Sequence, residues 1–326
     1  MRILFAGTPA LAVPSLAKAA HAHEVLAVLT SPDQPSGRGR EPARSAVKDA
    51  AVKLGLKILQ PAKLDDPFLE QVRALSPEVL VVAAYGKIFR QSFLGLFPCG
   101  GINVHPSLLP RYRGPSPITA AILAGDPEAG VTIQRVARKF DTGDILAQER
   151  WPLKGDETTA SLSEALGVMG ADLLAGVLAD MAAGTLPAGR VQEEAAATYC
   201  GTIRKEDGVV RWDEPAEIIT RKVRAFDPWP RMSTTFRTES LLLLKSHVYP
   251  DTLGEAPAGP IEGGRELPGE VLAADRNHGL LVRTGHGVLA LERLQLQFKK
   301  PSDWRSFVNG HPDIVGTRLG TAAGDV

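Results

Sequence analysis

The chain has 326 residues, with 37 Lys+Arg against 37 Asp+Glu, 44% hydrophobic and 23% charged residues. That length accommodates about two domains and a core that needs no disulfide or metal staple, and the composition excludes disorder and coiled coil. Two cysteines, Cys99 and Cys200, cannot build a disulfide framework or a four-ligand zinc cluster, and an aromatic share of 6% excludes a broad stacking platform for single-stranded nucleic acid.

Met1-Arg2 and the apolar residues after it imitate a secretory signal, but Gly7-Thr8-Pro9, Pro14 and Lys18 interrupt the stretch. Arg2 to Ala6 reads instead as a buried first strand ending in a glycine turn. Apolar runs at 25–29 and 79–83 read as further strands, with helical patterns near 10–20, 45–54 and 66–75; the last opens on Asp65-Asp66-Pro67, a suitable helix start. Strands apolar on both faces and separated by helices imply a doubly wound, Rossmann-like, mostly parallel α/β sheet. In such a sheet ligands sit beyond the carboxyl ends of the strands.

Gly100 to His105 reads as another strand, stopped by Pro106, and 158–183 as a long helix. Pro187 and the glycines of 184–197 suggest a linker. Beyond about 200 short β-like runs at 233–237, 240–248, 269–274, 279–283 and 287–298 imply a smaller β-rich domain, with a Pro/Gly-rich loop at 250–269. The expected division is 1–184, a linker 185–205, and 206–326. With no apolar run of about 18 residues, no membrane span is expected, and the cysteine usage fits a reducing compartment.

Asn103 and His105 are two apart on a strand, so both point to one face while Val104 points to the other. An amide and an imidazole side by side at a strand's carboxyl end can donate to one developing oxyanion. A structural histidine beside a turn-forming asparagine has the same spacing. Phe140-Asp141-Thr142-Gly143-Asp144 contains the Asp-Thr-Gly of aspartic proteases, but no second such triplet is present to share a proton. An Asp-Gly turn between two strands is the plainer alternative. Gln34 to Arg40 interleaves Pro and Gly with Arg38 and Arg40, a basic loop able to touch phosphate or simply face solvent. Between Glu78 and Asp126 there is no carboxylate, while Lys87, Arg90, Arg111 and Arg113 fall there.

Taken together, Asn103-Val104-His105-Pro106-Ser107-Leu108-Leu109-Pro110-Arg111-Tyr112-Arg113-Gly114 resembles the signature of the folate-dependent formyltransferases. Phe5-Ala6-Gly7-Thr8-Pro9, Ala84-Tyr85-Gly86-Lys87-Ile88 and Asp141-Thr142-Gly143-Asp144 are similar to the same family. Thr30 to Arg40, Arg204 to Trp212, Arg224 to Pro230 and Gly287 to Pro301 resemble the branch that acts on methionyl-tRNA.

The resemblance implies a formyl transfer from 10-formyltetrahydrofolate to the α-amine of initiator methionyl-tRNA, with no metal and no covalent enzyme intermediate. It further implies catalysis by Asn103, His105 and Asp141, the first two holding an oxyanion and Asp141 pairing with His105 and relaying a proton. Tyr85, Gly86, Lys87, Ile88, Ser107, Leu108, Leu109 and Pro110 are expected around the folate, and Arg38 and Arg40 on the tRNA. An OB-like second domain, a monomer, and a place in the bacterial cytosol away from membranes complete the expectation. The basic stretch Arg135-Val136-Ala137-Arg138-Lys139 stands where the family commonly carries acidic residues.

Overall fold

A computed structural model of the chain describes residues 1–36, 41–186, 188–250 and 267–320. Arg38, Arg40 and most of the Pro/Gly-rich 250–269 loop therefore lie outside the described residues. The chain divides into two units: residues 1–121, 127–154 and 161–202 form the first, and 122–126, 155–160 and 203–326 the second.

In the first unit, β1 (Arg2–Gly7), α1 (Val13–Ala22), β2 (Glu24–Leu29), a short ladder of β3 (Gln34–Ser36) with β4 (Glu41–Ala43), α2 (Ala46–Lys53) and β5 (Ile58–Leu59) come first. They are followed by α3 (Asp66–Arg73), β6 (Val79–Ala83), α4 (Gln91–Leu94), β7 (Gly101–His105), α5 (Pro117–Ala124), β8 (Glu128–Arg135), β9 (Ile145–Pro152) and α6 (Thr159–Ala183). The seven-stranded sheet runs β5-β2-β1-β6-β7-β8-β9. The expected mostly parallel, doubly wound sheet is present: β5 to β7 are parallel, while β8 and β9 add an antiparallel edge.

Strands β8 and β9 did not stand out as apolar runs, and the reason is chemical. Val131 and Ile133 point to one face and are fully buried, but the alternating positions are Gly130, Thr132 and Gln134. A Cβ on Gly130 would lie 2.3 Å from the Glu149 carbonyl and 2.5 Å from Leu108 Cδ2, so only glycine lets the neighbouring chain approach. Thr132 and Gln134 are polar because they hold the loops described below.

The two sheet faces are covered by different helices. Leu4, Ala6, Leu29, Leu80 and Val82 pack with Phe68, Leu69 and Val72 of α3 and with Tyr85, Phe89, Phe93 and Phe97. Helix α3 starts where the acidic, proline-containing sequence placed it, with the Asp65 side chain accepting from the Phe68 N–H. On the opposite face α6 buries Leu162, Leu166, Gly170, Leu174 and Leu178, which recur every fourth residue. A Cβ on Gly170 would meet Val104 Cγ1 at 2.8 Å and Val131 Cγ1 at 3.3 Å, so the helix rests directly on β7 and β8. Helix α6 is long and apolar enough to cross a bilayer, yet this stripe faces the sheet, as in a core helix. Because Val104 is turned to α6, its neighbours Asn103 and His105 are turned away from it.

The second unit is built on an antiparallel six-stranded sheet of β10 (Met232–Phe236), β11 (Glu239–Val248), β12 (Val271–Asp275), β13 (Gly279–Arg283), β14 (Val288–Leu296) and β15 (Ser302–Asp303). Its order is β10-β11-β14-β13-β12, with β15 on β14. All five β-like runs of the sequence are strands here. Helix α7 (Ala216–Ala225), which has no counterpart among the elements read from sequence, packs on β11 and β14 through Ala216, Ile219 and Val223. Helix α8 (Trp304–Gly310) follows β15, with the Asp303 carboxylate accepting from Ser306 N–H.

Candidate active site

Strand alternation and sheet order assemble the site. The strand order reverses direction between β1 and β6, where doubly wound sheets leave a crevice. β6 and β7 are parallel neighbours, so 84–88 and 106–114 leave the sheet from the same edge. Across the antiparallel β7–β8 pair, Asn103 stands opposite Gln134 and His105 opposite Thr132. These four side chains share one face of the sheet.

The turn between β8 and β9 brings Asp141 to the same place. His105 Nδ1 lies 3.5 Å from Asp141 Oδ1, and Asn103 Nδ2 donates to that oxygen at 3.4 Å. The other carboxylate oxygen accepts from the Gly114 N–H at 2.9 Å. His105 is 4% exposed, and its Nε2 donates to the Tyr112 carbonyl at 3.0 Å. Nε2 thus carries a proton, and Nδ1 faces a carboxylate oxygen. Asp141 itself sits at φ 54°, a left-handed backbone that aspartate tolerates better than most residues.

Two side chains absent from the sequence reading hold this turn. Gln134 Nε2 donates to Asp141 Oδ1 at 2.9 Å, and Gln192 Nε2 donates to the carbonyls of Asp141 at 2.9 Å and Gly143 at 2.7 Å. Gln192 lies in the stretch expected to be a linker, and it is not alone there. Arg113, 1% exposed, donates through Nε to Gln192 Oε1 and through Nη1 to Glu194 and the Tyr199 hydroxyl. Residues 188–202 belong to the first unit. Their polar side chains bind by hydrogen bonds, which hydrophobic periodicity does not register. The aspartate turn and the two flanking strands are both present, so the plain reading of the Asp-Thr-Gly tetrad describes its backbone and leaves its carboxylate for chemistry.

The residues expected around folate fall into two groups. Ser107 to Pro110 lead away from His105, fixed by Thr132, whose hydroxyl donates to the Ser107 carbonyl at 2.6 Å and accepts from Leu109 N–H. Gln148 Nε2 donates to the Leu109 carbonyl at 2.9 Å. At the end of β6, Gly86 and Ile88 are exposed, and Lys87 Nζ donates to the carbonyls of Pro61 and Ala62. Tyr85 is different. Its ring stacks on Phe89 in the core, and burial pushes its hydroxyl up to about 12. Among the described residues no group of three or more His, Cys, Asp or Glu side chains is arranged to hold a metal ion.

Cys200 borders the site, its thiol directed at the Tyr112 and Arg113 carbonyls. Burial pushes the Cys200 thiol up, a backbone hydrogen bond from Ser116 acts against this, and the charge of Asp141 adds to it. Cys99 is exposed. Iodoacetamide at neutral pH is therefore expected to alkylate Cys99 before the half-buried Cys200; equal labelling of the two by peptide mass analysis contradicts the protection of Cys200.

Comparison with known proteins follows the same division of the chain. Residues 1–178 match the formyl transferase family, and 202–312 match the formyl transferase C-terminal domain. The methionyl-tRNA formyltransferase of Treponema denticola is 43% identical over 323 residues, covering 97% of this chain and 98% of that protein. Among solved structures, the N-formyltransferase from Helicobacter canadensis in complex with folinic acid and dTDP-3-aminofucose is similar at a TM-score of 0.62 and 17% identity, over 90% of this chain and 99% of that one. HypX from Aquifex aeolicus in complex with tetrahydrofolic acid is similar at a TM-score of 0.59 and 20% identity, over 97% of this chain and 48% of that one. The chain thus spans about half the length of HypX. At such identities these two structures share its fold.

Proposed function

The chain belongs to the methionyl-tRNA formyltransferase branch of the formyl transferase family, and from that premise we propose that it transfers the formyl group of 10-formyltetrahydrofolate to the α-amine of initiator methionyl-tRNA, with Asn103, His105 and Asp141 as the reacting trio. The observation that carries this reading is the convergence of the three on one sheet edge, with the Asp141 carboxylate within 3.5 Å of both partners.

The chemistry needs three things from the protein. The amine must lose a proton, the oxygen of the attacked formyl group must be stabilised as it gains charge, and the departing folate nitrogen must take a proton. Asn103 Nδ2–H and His105 Nε2–H are the donors for the oxyanion; the reacting oxygen competes with the Tyr112 carbonyl for the second of them. Asp141 accepts the proton that the amine nitrogen sheds as it adds to the formyl carbon, directly or through water, and His105 stands beside that carboxylate at 3.5 Å. The unprotonated amine adds to the formyl carbon to give a tetrahedral oxyanion, which collapses with cleavage of the bond from carbon to N10 of the folate, and N10 takes up the proton that Asp141 accepted. Preorganised donors suit this work because they need no reorientation as charge develops.

Ser107 to Pro110 and Tyr85 to Ile88 are proposed as the folate wall, since both segments leave adjoining parallel strands at the same edge. In the proposed division 1–184 does the chemistry and 206–326 receives tRNA, with Arg38 and Arg40 on the acceptor stem. The carboxylate-free stretch 79–125 gives the anionic folate tail and phosphates no like charge to meet.

The decisive assay offers purified protein 10-formyltetrahydrofolate with charged initiator methionyl-tRNA, charged elongator methionyl-tRNA or an amino-sugar nucleotide. Formylation is expected on the initiator by a wide margin. Turnover of the sugar nucleotide alone reassigns the acceptor, and turnover of none of the three removes the proposal.

A further inference from the structure

Gln134 is an amide on a buried strand, 1% exposed, on the face it shares with Gly130 and Thr132. Burying an amide is unfavourable unless its hydrogen bonds are met, and here both ends are engaged. Nε2 donates to Asp141 Oδ1 at 2.9 Å, and Oε1 accepts from Gln192 Nε2 at 3.3 Å. Gln192 in turn accepts from the buried Arg113 at 3.1 Å. Arg113 and Gln192 thus hold the backbone of the Asp141 turn, whose carbonyls take the shorter bonds of Gln192 Nε2, while Gln134 holds its carboxylate.

That oxygen has three nitrogen neighbours: Gln134 Nε2 at 2.9 Å, Asn103 Nδ2 at 3.4 Å and His105 Nδ1 at 3.5 Å. Only the first lies within the usual range of a good N–H···O bond. Gln134 stands directly across the strand pair from Asn103, so the two amides approach Asp141 from adjacent positions on one face. The nearer amide satisfies the carboxylate; the farther one is held loosely.

We infer that Gln134 is a positioning residue of this site, fixing Asp141 from the strand opposite so that the Asn103 amide is left for the reacting oxygen. This rests on the reading of Asp141 and Asn103 given above. Without Gln134, Asp141 Oδ1 turns to the Asn103 amide for its missing donor and withdraws it from the oxyanion. The consequence falls on the rate of the chemical step and leaves substrate binding alone.

Gln134→Met keeps the length of the side chain and removes its hydrogen bonds. Its kcat is expected to fall about 10- to 100-fold, the range for one hydrogen bond to a charged group, with KM for both substrates within about twofold of the unsubstituted protein. A double-mutant cycle then asks through which residue it acts. In an Asp141→Ala background, single-turnover rates should change less than about twofold on adding Gln134→Met. An effect confined to KM, or an equal loss in both backgrounds, overturns the inference. Thermal unfolding checks that Gln134→Met folds; if it does not, Gln134→Leu, which also lacks a donor, must lose kcat at least as strongly, and retention of kcat overturns the inference. Full activity of Asp141→Ala alone would instead remove the reading on which the inference rests.

Discussion

Alanine at His105 is expected to lower kcat by about a hundredfold or more, and alanine at Asn103 by a similar factor, equivalent to roughly 3 kcal/mol of transition-state stabilisation for each preorganised donor. The two side chains are presented by an ordered strand paired with β6 on one side and β8 on the other. That backbone ladder does not depend on either side chain, so both variants should fold. His105 is the more buried of the two, and its removal also takes one donor from the Tyr112 carbonyl, so some loss of thermal stability accompanies the loss of rate. KM for the folate should change little, because neither group is proposed to hold the pterin in the ground state. If both donate to one oxyanion, the double variant should lose less than the product of the single losses. Steady-state rates at saturating concentrations of both substrates measure this, and near-normal turnover in either variant takes that residue out of the chemistry.

Why could this pair be read from sequence when its companions could not? Asn103 and His105 are close in the chain, and a strand period of two puts them on one face whatever the rest of the protein does. Pro106 marks the end of the ladder, and the end of a strand in a doubly wound sheet is where a ligand sits. The parallel strands β1, β2 and β6 were legible for a related reason. They are buried on both faces, so their apolar runs are unbroken.

Asp141 could be attached to the pair only through resemblance, since no local period connects it to β7. Gln134 shows the limit more sharply. It lies on a strand whose inward face is Gly130, Thr132 and Gln134, residues selected by the loops they support. A hydrophobic pattern therefore fails on β8 for the same reason that β8 matters to the site. Residues 188–202 repeat this on a longer scale. Pro and Gly mark the segment as irregular, which is true of its backbone, but Gln192, Glu194 and Tyr199 hold it to Arg113. Local sequence reports conformation, and polar tethering between distant segments leaves no period to find.

Gly143 is where that tethering admits least change, and Gly143→Ala is expected to reduce kcat by about a hundredfold or more. A Cβ at this position would stand 1.7 Å from the Arg135 carbonyl oxygen and 2.7 Å from its carbon. Both are backbone atoms, so no side-chain rotation relieves the clash. Arg135 is tied to the turn, with its N–H donating to the Asp144 carbonyl at 2.9 Å, and the Gly143 carbonyl is held by Gln192 at 2.7 Å. Ordinary contact requires the turn to retreat by more than about 1 Å, and a displacement of that size near reacting groups is worth about a hundredfold in rate. Asp141 is two residues away on the same turn, so it moves with it and leaves His105 and Asn103. The sheet beneath keeps its strand pairing, and the unfolding midpoint should fall by only several degrees. Gly176→Ala supplies the contrast: nothing lies within 4 Å of a Cβ there, and the residue is inside helix α6, so alanine should leave kcat unchanged and stabilise slightly. Equal kcat for Gly143→Ala and Gly176→Ala would mean that the position of the Asp141 turn does not govern the reaction.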